Sequence, residues 1–128
     1  MNASDLRAFL LGDLAAKEFQ SLLNKETEAW AKRLSERGRS APISLLGMYE
    51  PIDITPKRAL VLLDAYITGD FSAASYAYVL DALLLSEHAI WTDLSVRDAM
   101  EYVLGEYYPT KMDRERALQA REEILMEK

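Results

Sequence analysis

Thr55-Pro-Lys-Arg-Ala-Leu-Val-Leu-Leu-Asp-Ala-Tyr-Ile-Thr-Gly-Asp-Phe-Ser72 decides how this chain is read. The Thr55 hydroxyl can accept from an early helical N–H, and Pro56 lacks the N–H that a first turn leaves unpaired anyway, so a helix starts there. Its interior, Ala59-Leu60-Val61-Leu62-Leu63, is apolar almost all round, which predicts a central helix rather than a surface one. The helix runs to Thr68 and Gly69 ends it, since glycine enters the left-handed turn without steric cost. Ser72 caps the next helix, predicted over 72–86, with Tyr76, Val79, Leu80, Leu83 and Leu84 facing inward.

Toward the N-terminus, 39–53 contains Pro42, Gly47 and Pro51 and shows neither helix nor strand period. It reads as a loop, with room for one helical turn around Leu45. Before it, a long helix is predicted over 14–37, with Phe19, Leu22, Leu23, Glu26, Trp30 and Leu34 tracing one face. A short helix over 5–11 precedes that and stops at Gly12. Toward the C-terminus, Ser95 followed by Asp98 resembles a capping box and opens a helix through Tyr107, which Pro109 closes. Thr110 caps a last helix over 111–126. With 128 residues, half of them hydrophobic, the chain can bury one core. The expected fold is therefore all-α, a single-domain bundle of about five or six helices.

Part of the pattern occurs twice. Leu6-Arg-Ala-Phe-Leu-Leu-Gly-Asp-Leu-Ala-Ala-Lys-Glu-Phe19 aligns without gaps onto Leu63-Asp-Ala-Tyr-Ile-Thr-Gly-Asp-Phe-Ser-Ala-Ala-Ser-Tyr76. Both are helix, Gly turn and restart with an aromatic in the new helix, as in two helical hairpins. Duplication and independent use of common helix-turn grammar explain this equally well, and two units do not make a solenoid.

Charge is unevenly placed. The net charge is −6, which argues against simple nucleic-acid binding, since that needs a basic footprint. Between Ala59 and Pro109 stand eight acids (Asp64, Asp70, Asp81, Glu87, Asp93, Asp98, Glu101, Glu106) against Arg97 alone, a net of −7, while the rest of the chain nets +1. No apolar run has the roughly 18–20 residues of a membrane span. The N-terminal residues lack the basic start and apolar stretch of a secretory signal. The absence of cysteine is compatible with a reducing compartment, so a cytoplasmic protein is expected.

Catalytic signals are weak. His88 is the single histidine, and an imidazole base needs a nucleophile or an orienting carboxylate that nothing nearby in sequence supplies. There is no HExxH, no EF-hand spacing, no thiolate and no phosphate-cradling glycine loop, so neither cofactor nor metal is expected. The neighbours Glu122 and Glu123 point in different directions on a helix. The basic stretch Lys32-Arg33-Leu34-Ser35-Glu36-Arg37-Gly38-Arg39 complements a helix C-terminus. The expected class is a non-enzymatic binding protein.

The acidic block coincides with Tyr66, Phe71, Tyr76, Tyr78, Trp91, Tyr102, Tyr107 and Tyr108. Tyr78, Asp81 and Leu85 fall on the side of their helix away from the inward set, an expected exposed stripe. Asp98, Glu101, Tyr102 and Gly105 likewise oppose Val96, Met100, Val103 and Leu104. Tyr brings rigid contact area with a polar tip, and carboxylates around it steer a basic partner. The candidate contact residues are thus Tyr78, Asp81, Leu85, Asp98, Glu101 and Tyr102. A merely solubilising acidic surface is the other reading of the same pattern.

The opening Leu6–Phe19 segment, with Ala16-Lys-Glu-Phe19 and then Trp30, resembles the start of small bacterial immunity proteins of the colicin D and contact-dependent-growth-inhibition type. Those begin with an amphipathic helix, a Gly turn and an Ala-x-Glu-Phe helix. The resemblance implies a cytoplasmic protein that binds a cognate toxin domain, often a basic nuclease, and masks its active site. It carries over no residue role. The competing expectations are a helical interaction or regulatory adaptor unrelated to toxins and, last, an enzyme built around His88.

Overall fold

The computed structural model describes residues 1–37, 43, 45–47, 50–104 and 112–126. Among them the order is α1 (Ala3–Leu10), α2 (Ala16–Arg37), β1 (Ile52–Ile54), α3 (Pro56–Ile67), α4 (Ala73–Leu85), β2 (Ala89–Trp91), α5 (Leu94–Leu104) and α6 (Arg114–Met126). The protein is mostly helical, and its buried side chains form one contiguous cluster drawn from all eight elements.

The caps explain where the central helices begin and end. Thr55 accepts from the Arg58 N–H at 3.3 Å, and Ser72 from the Ser75 N–H at 3.1 Å. Gly69 has φ +86°, and beyond it the Phe71 N–H returns to the Ala65 carbonyl at 2.9 Å. The earlier turn has the same construction. Gly12 has φ +87°, and the Leu14 N–H reaches the Ala8 carbonyl at 3.1 Å. In the gapless alignment Leu14 stands at Phe71 and Ala8 at Ala65, so the sequence similarity is a similarity of backbone hydrogen bonding.

The likeness extends beyond the turns. Hairpin α3–α4 is closed by β1 and β2, which pair in parallel with Ile52 opposite Ala89, Asp53 opposite Ile90 and Ile54 opposite Trp91. Hairpin α1–α2 is closed by a parallel bridge between Asn2 and Leu46, with the Ala3 N–H donating to the Leu46 carbonyl at 2.8 Å. Each unit thus has two helices whose flanking backbone pairs in parallel, as a two-strand ladder in one and a single bridge in the other. The units meet at an aromatic cluster in which the Phe71 ring stacks on Phe9 at 5.1 Å and lies 5.9 Å from Phe19.

Several expectations need correction. Leu45 is not helical, and the expected loop ends in β1; three-residue strands are too short to show a period, and each needs a partner distant in sequence. Helix α1 begins at Ala3 because Asn2 caps it, accepting from the Ser4 N–H at 2.9 Å. Leu22 on α2 is 59% exposed, whereas Thr27 is buried, its hydroxyl donating to the Leu23 carbonyl. The most enclosed helix is α4, not α3. Six consecutive α4 residues, Ser75 to Leu80, are buried, because α2, α3 and α5 all pack around it. Asp93, not Ser95, caps α5, accepting from the Ser95 N–H at 2.9 Å and the Ser95 hydroxyl at 2.6 Å. Asp113 accepts from the Arg116 N–H at 2.8 Å and caps α6. The expected cap Thr110, the expected end of the fifth helix at Tyr107 and Gly105 of its expected outer face lie outside the described residues.

Candidate functional site

Helix α5 has two faces at helical spacing. Val96, Ala99, Met100, Val103 and Leu104 are buried, and Leu94, Asp98, Glu101 and Tyr102 are exposed. Burial of the first set against α3, α4 and α6 is what turns the second set outward. Asp98, Glu101 and Tyr102 therefore share one outer face, as their i, i+3, i+4 spacing requires.

Tyr102 is 43% exposed yet held on several sides. Its hydroxyl donates to Gln119 Oε1 at 2.8 Å, the Arg116 guanidinium lies 4.1 Å over its ring, and Arg116 Nε donates to the Tyr102 carbonyl at 2.9 Å. An exposed aromatic fixed in this way has little rotamer freedom left to lose on docking. Arg97 Nε stands 3.3 Å from Glu101 Oε1. At the head of the helix, the Ser95 hydroxyl, then the Ser95 and Val96 N–H groups, hold the Asp93 carboxyl below the usual range.

The other predicted contact residues do not join this face. Tyr78 is 3% exposed, so the expected stripe on α4 is not an exposed one. The reason is α2, which packs along that side of α4. The Tyr78 hydroxyl donates to Glu26 Oε2 at 2.6 Å, and its ring meets Trp30 edge-on at 5.3 Å. Glu26 Oε2 also accepts from the Met1 ammonium at 2.7 Å. Asp81 is half-buried. Leu85 is 80% exposed at the far end of α4, beside a groove lined by Ile43, Leu45, Ala82, Ser86, Glu87 and His88.

Nor do the acids of the central block form one anionic surface. Asp64 accepts from Arg121 Nε of α6 at 2.8 Å. Glu101 faces Arg97, Glu87 lies 3.8 Å from His88 Nε2, and Asp93 is a helix cap. Glu106 lies outside the described residues. Arg121 from the C-terminal helix, distant in sequence, returns to the block and pairs with one of its acids.

The chain matches no family model, no curated protein and no solved structure. Among the described residues no group of three or more His, Cys, Asp and Glu side chains is placed to hold a metal ion. No described helix is long and apolar enough to cross a membrane. The Glu87 carboxylate lies 3.8 Å from His88 Nε2, and the His88 backbone N–H donates to Ser86 Oγ at 3.2 Å. Sequence reading missed the supporting residues Arg116 and Gln119. Their only signal was a partly amphipathic last helix, which does not say where its polar side chains land.

Proposed function

We propose that this chain is a non-catalytic binding protein of the toxin-immunity type, cytoplasmic, which takes a basic protein domain onto the outer face of α5 and blocks that domain's active site. The observation that carries the reading is Tyr102: a half-exposed aromatic, braced by Gln119 and Arg116, with Asp98 and Glu101 beside it. Rigid aromatics supply most of the energy at protein interfaces, while rim carboxylates mainly accelerate encounter with a basic partner. The site is smaller than the charge map predicted. Asp98, Glu101 and Tyr102 remain as contact residues; Tyr78 serves the core, and Leu85 lies apart.

The test uses the C-terminal domain of a large reading frame encoded beside this chain. Association with the purified chain should be tight and salt-sensitive. D98K with E101K should slow association about tenfold at low ionic strength, and Y102A should mainly speed dissociation. Unchanged kinetics in both variants reject this face. A stable partner that is no toxin would keep the binding role and remove the inhibitor role.

A further inference from the structure

The two hairpins share one backbone plan, but among the described residues only one of them carries a third helix. Helix α6 packs against both α5 and α3, with Ala117, Ala120 and Ile124 buried, and Arg121 Nε is bonded to Asp64 Oδ1 of α3 at 2.8 Å. The gapless correspondence of the units puts Arg7 at the position of Asp64, Ala8 at Ala65, Ser4 at Val61 and Leu11 at Thr68. No described element covers that stripe of α1. It forms the floor of an open groove of about 390 Å³, lined by Ser4, Arg7, Ala8 and Leu11, with Gly47 and Glu50 along one wall.

We propose that this groove docks an amphipathic helix of a partner protein, seated on α1 as α6 is seated on α3, and carrying a carboxylate where α6 carries Arg121. Equivalent helix phase fixes the pose, because the same hydrogen bonds orient both hairpins. Ser4 and Ala8 are small, as Ala117 and Ala120 are on α6, and small residues let helices approach closely. Leu11, 47% exposed, offers the apolar surface that such a helix would bury. The charge at the contact is reversed between the two units: Asp64 takes an arginine, so Arg7 takes an acid. Arg7 Nη2 donates to the Glu50 carbonyl at 2.9 Å, which holds the guanidinium at the groove and uses one of its five donors. Asp13 at the other end repels a second acid there and sets the polarity. This surface is separate from the α5 face, and either can fail without the other.

The test titrates two synthetic peptides, capped at both ends, into the ¹⁵N-labelled full chain: residues 112–126 as they stand, and the same with R121E. The R121E peptide should shift the amides of Arg7, Ala8, Leu11 and Gly47 saturably. It should bind roughly two- to fivefold more tightly than the native peptide, as expected for one partly exposed ion pair. R7E in the full chain, with its circular dichroism unchanged, should reverse that order. The proposal is overturned if neither peptide moves the α1 amides at up to about 1 mM. An order of affinities indifferent to R7E also overturns it, as do shifts centred on α3 and α5, where the chain's own α6 lies.

Discussion

Phe71 is one of the places where the two hairpins meet, and removing its ring tests that contact directly. The side chain is buried, stacked on Phe9 at 14° between ring planes and tilted 49° to Phe19, while Phe9 and Phe19 are themselves 5.1 Å apart. F71A deletes a ring inside a packed cluster that closes incompletely over the gap, so it should cost about 3–5 kcal/mol. F71L keeps much of the apolar volume and loses two ring pairs, each worth about 0.5–1.5 kcal/mol beyond its buried area, so about 1–3 kcal/mol is expected. Against a stability of about 5–15 kcal/mol for a domain of this kind, the first change is severe and the second measurable. Urea unfolding followed by circular dichroism reads both as shifts in midpoint at constant slope. A double-mutant cycle of F71L with F9L should show coupling of about 0.5–1.5 kcal/mol. If F71A costs less than about 1 kcal/mol, or the cycle shows no coupling, the hairpins do not meet through these rings and the paired-unit architecture is wrong.

Two further changes probe local physics. Gly69 has φ +86° and an added Cβ would meet nothing within 4 Å, so G69A should cost about 1–2 kcal/mol through backbone strain alone; an unchanged melting temperature would show that the turn does not need the left-handed conformation. Burial, and then Tyr66 nearby, pushes the Tyr76 phenol well above its ordinary value, and its hydroxyl donates to the Met100 carbonyl at 3.0 Å. The raised folded value favours the neutral phenol, so its contribution is complete below about pH 10 and is lost as pH rises beyond that, where the unfolded chain ionises first. Y76F should therefore cost about 1 kcal/mol at neutral pH and flatten the alkaline limb of a stability profile; an unaltered limb would place the titrating group elsewhere.

Much of the helical order was legible because helix ends are written in local chemistry. Thr55-Pro56, Ser72, Gly12 and Gly69 act within a few residues of themselves, and each does what its type predicts. At α5 the reading took Ser95 for the cap where Asp93, two residues earlier, serves, since either side chain type can accept from an early N–H. The candidate site was half legible. Helical spacing correctly placed Asp98, Glu101 and Tyr102 together outside, because the opposite face of α5 is plainly apolar. It misplaced Tyr78, because α4 is apolar around most of its girth and spacing alone cannot tell which side a neighbouring helix will cover.

From sequence alone came the predominantly helical class, the two glycine turns and the similarity of the two hairpins, all properties of near neighbours along the chain. Tertiary structure decided what covers what. The Tyr78 hydroxyl finds Glu26 from 52 residues away, Arg121 neutralises Asp64 across 57, and β1 acquires order only by pairing with β2. Such pairings depend on how helices stack rather than on their own composition. A block of acids contiguous in sequence was therefore divided by packing, and one short face of α5 was left exposed with Asp98, Glu101 and Tyr102 on it.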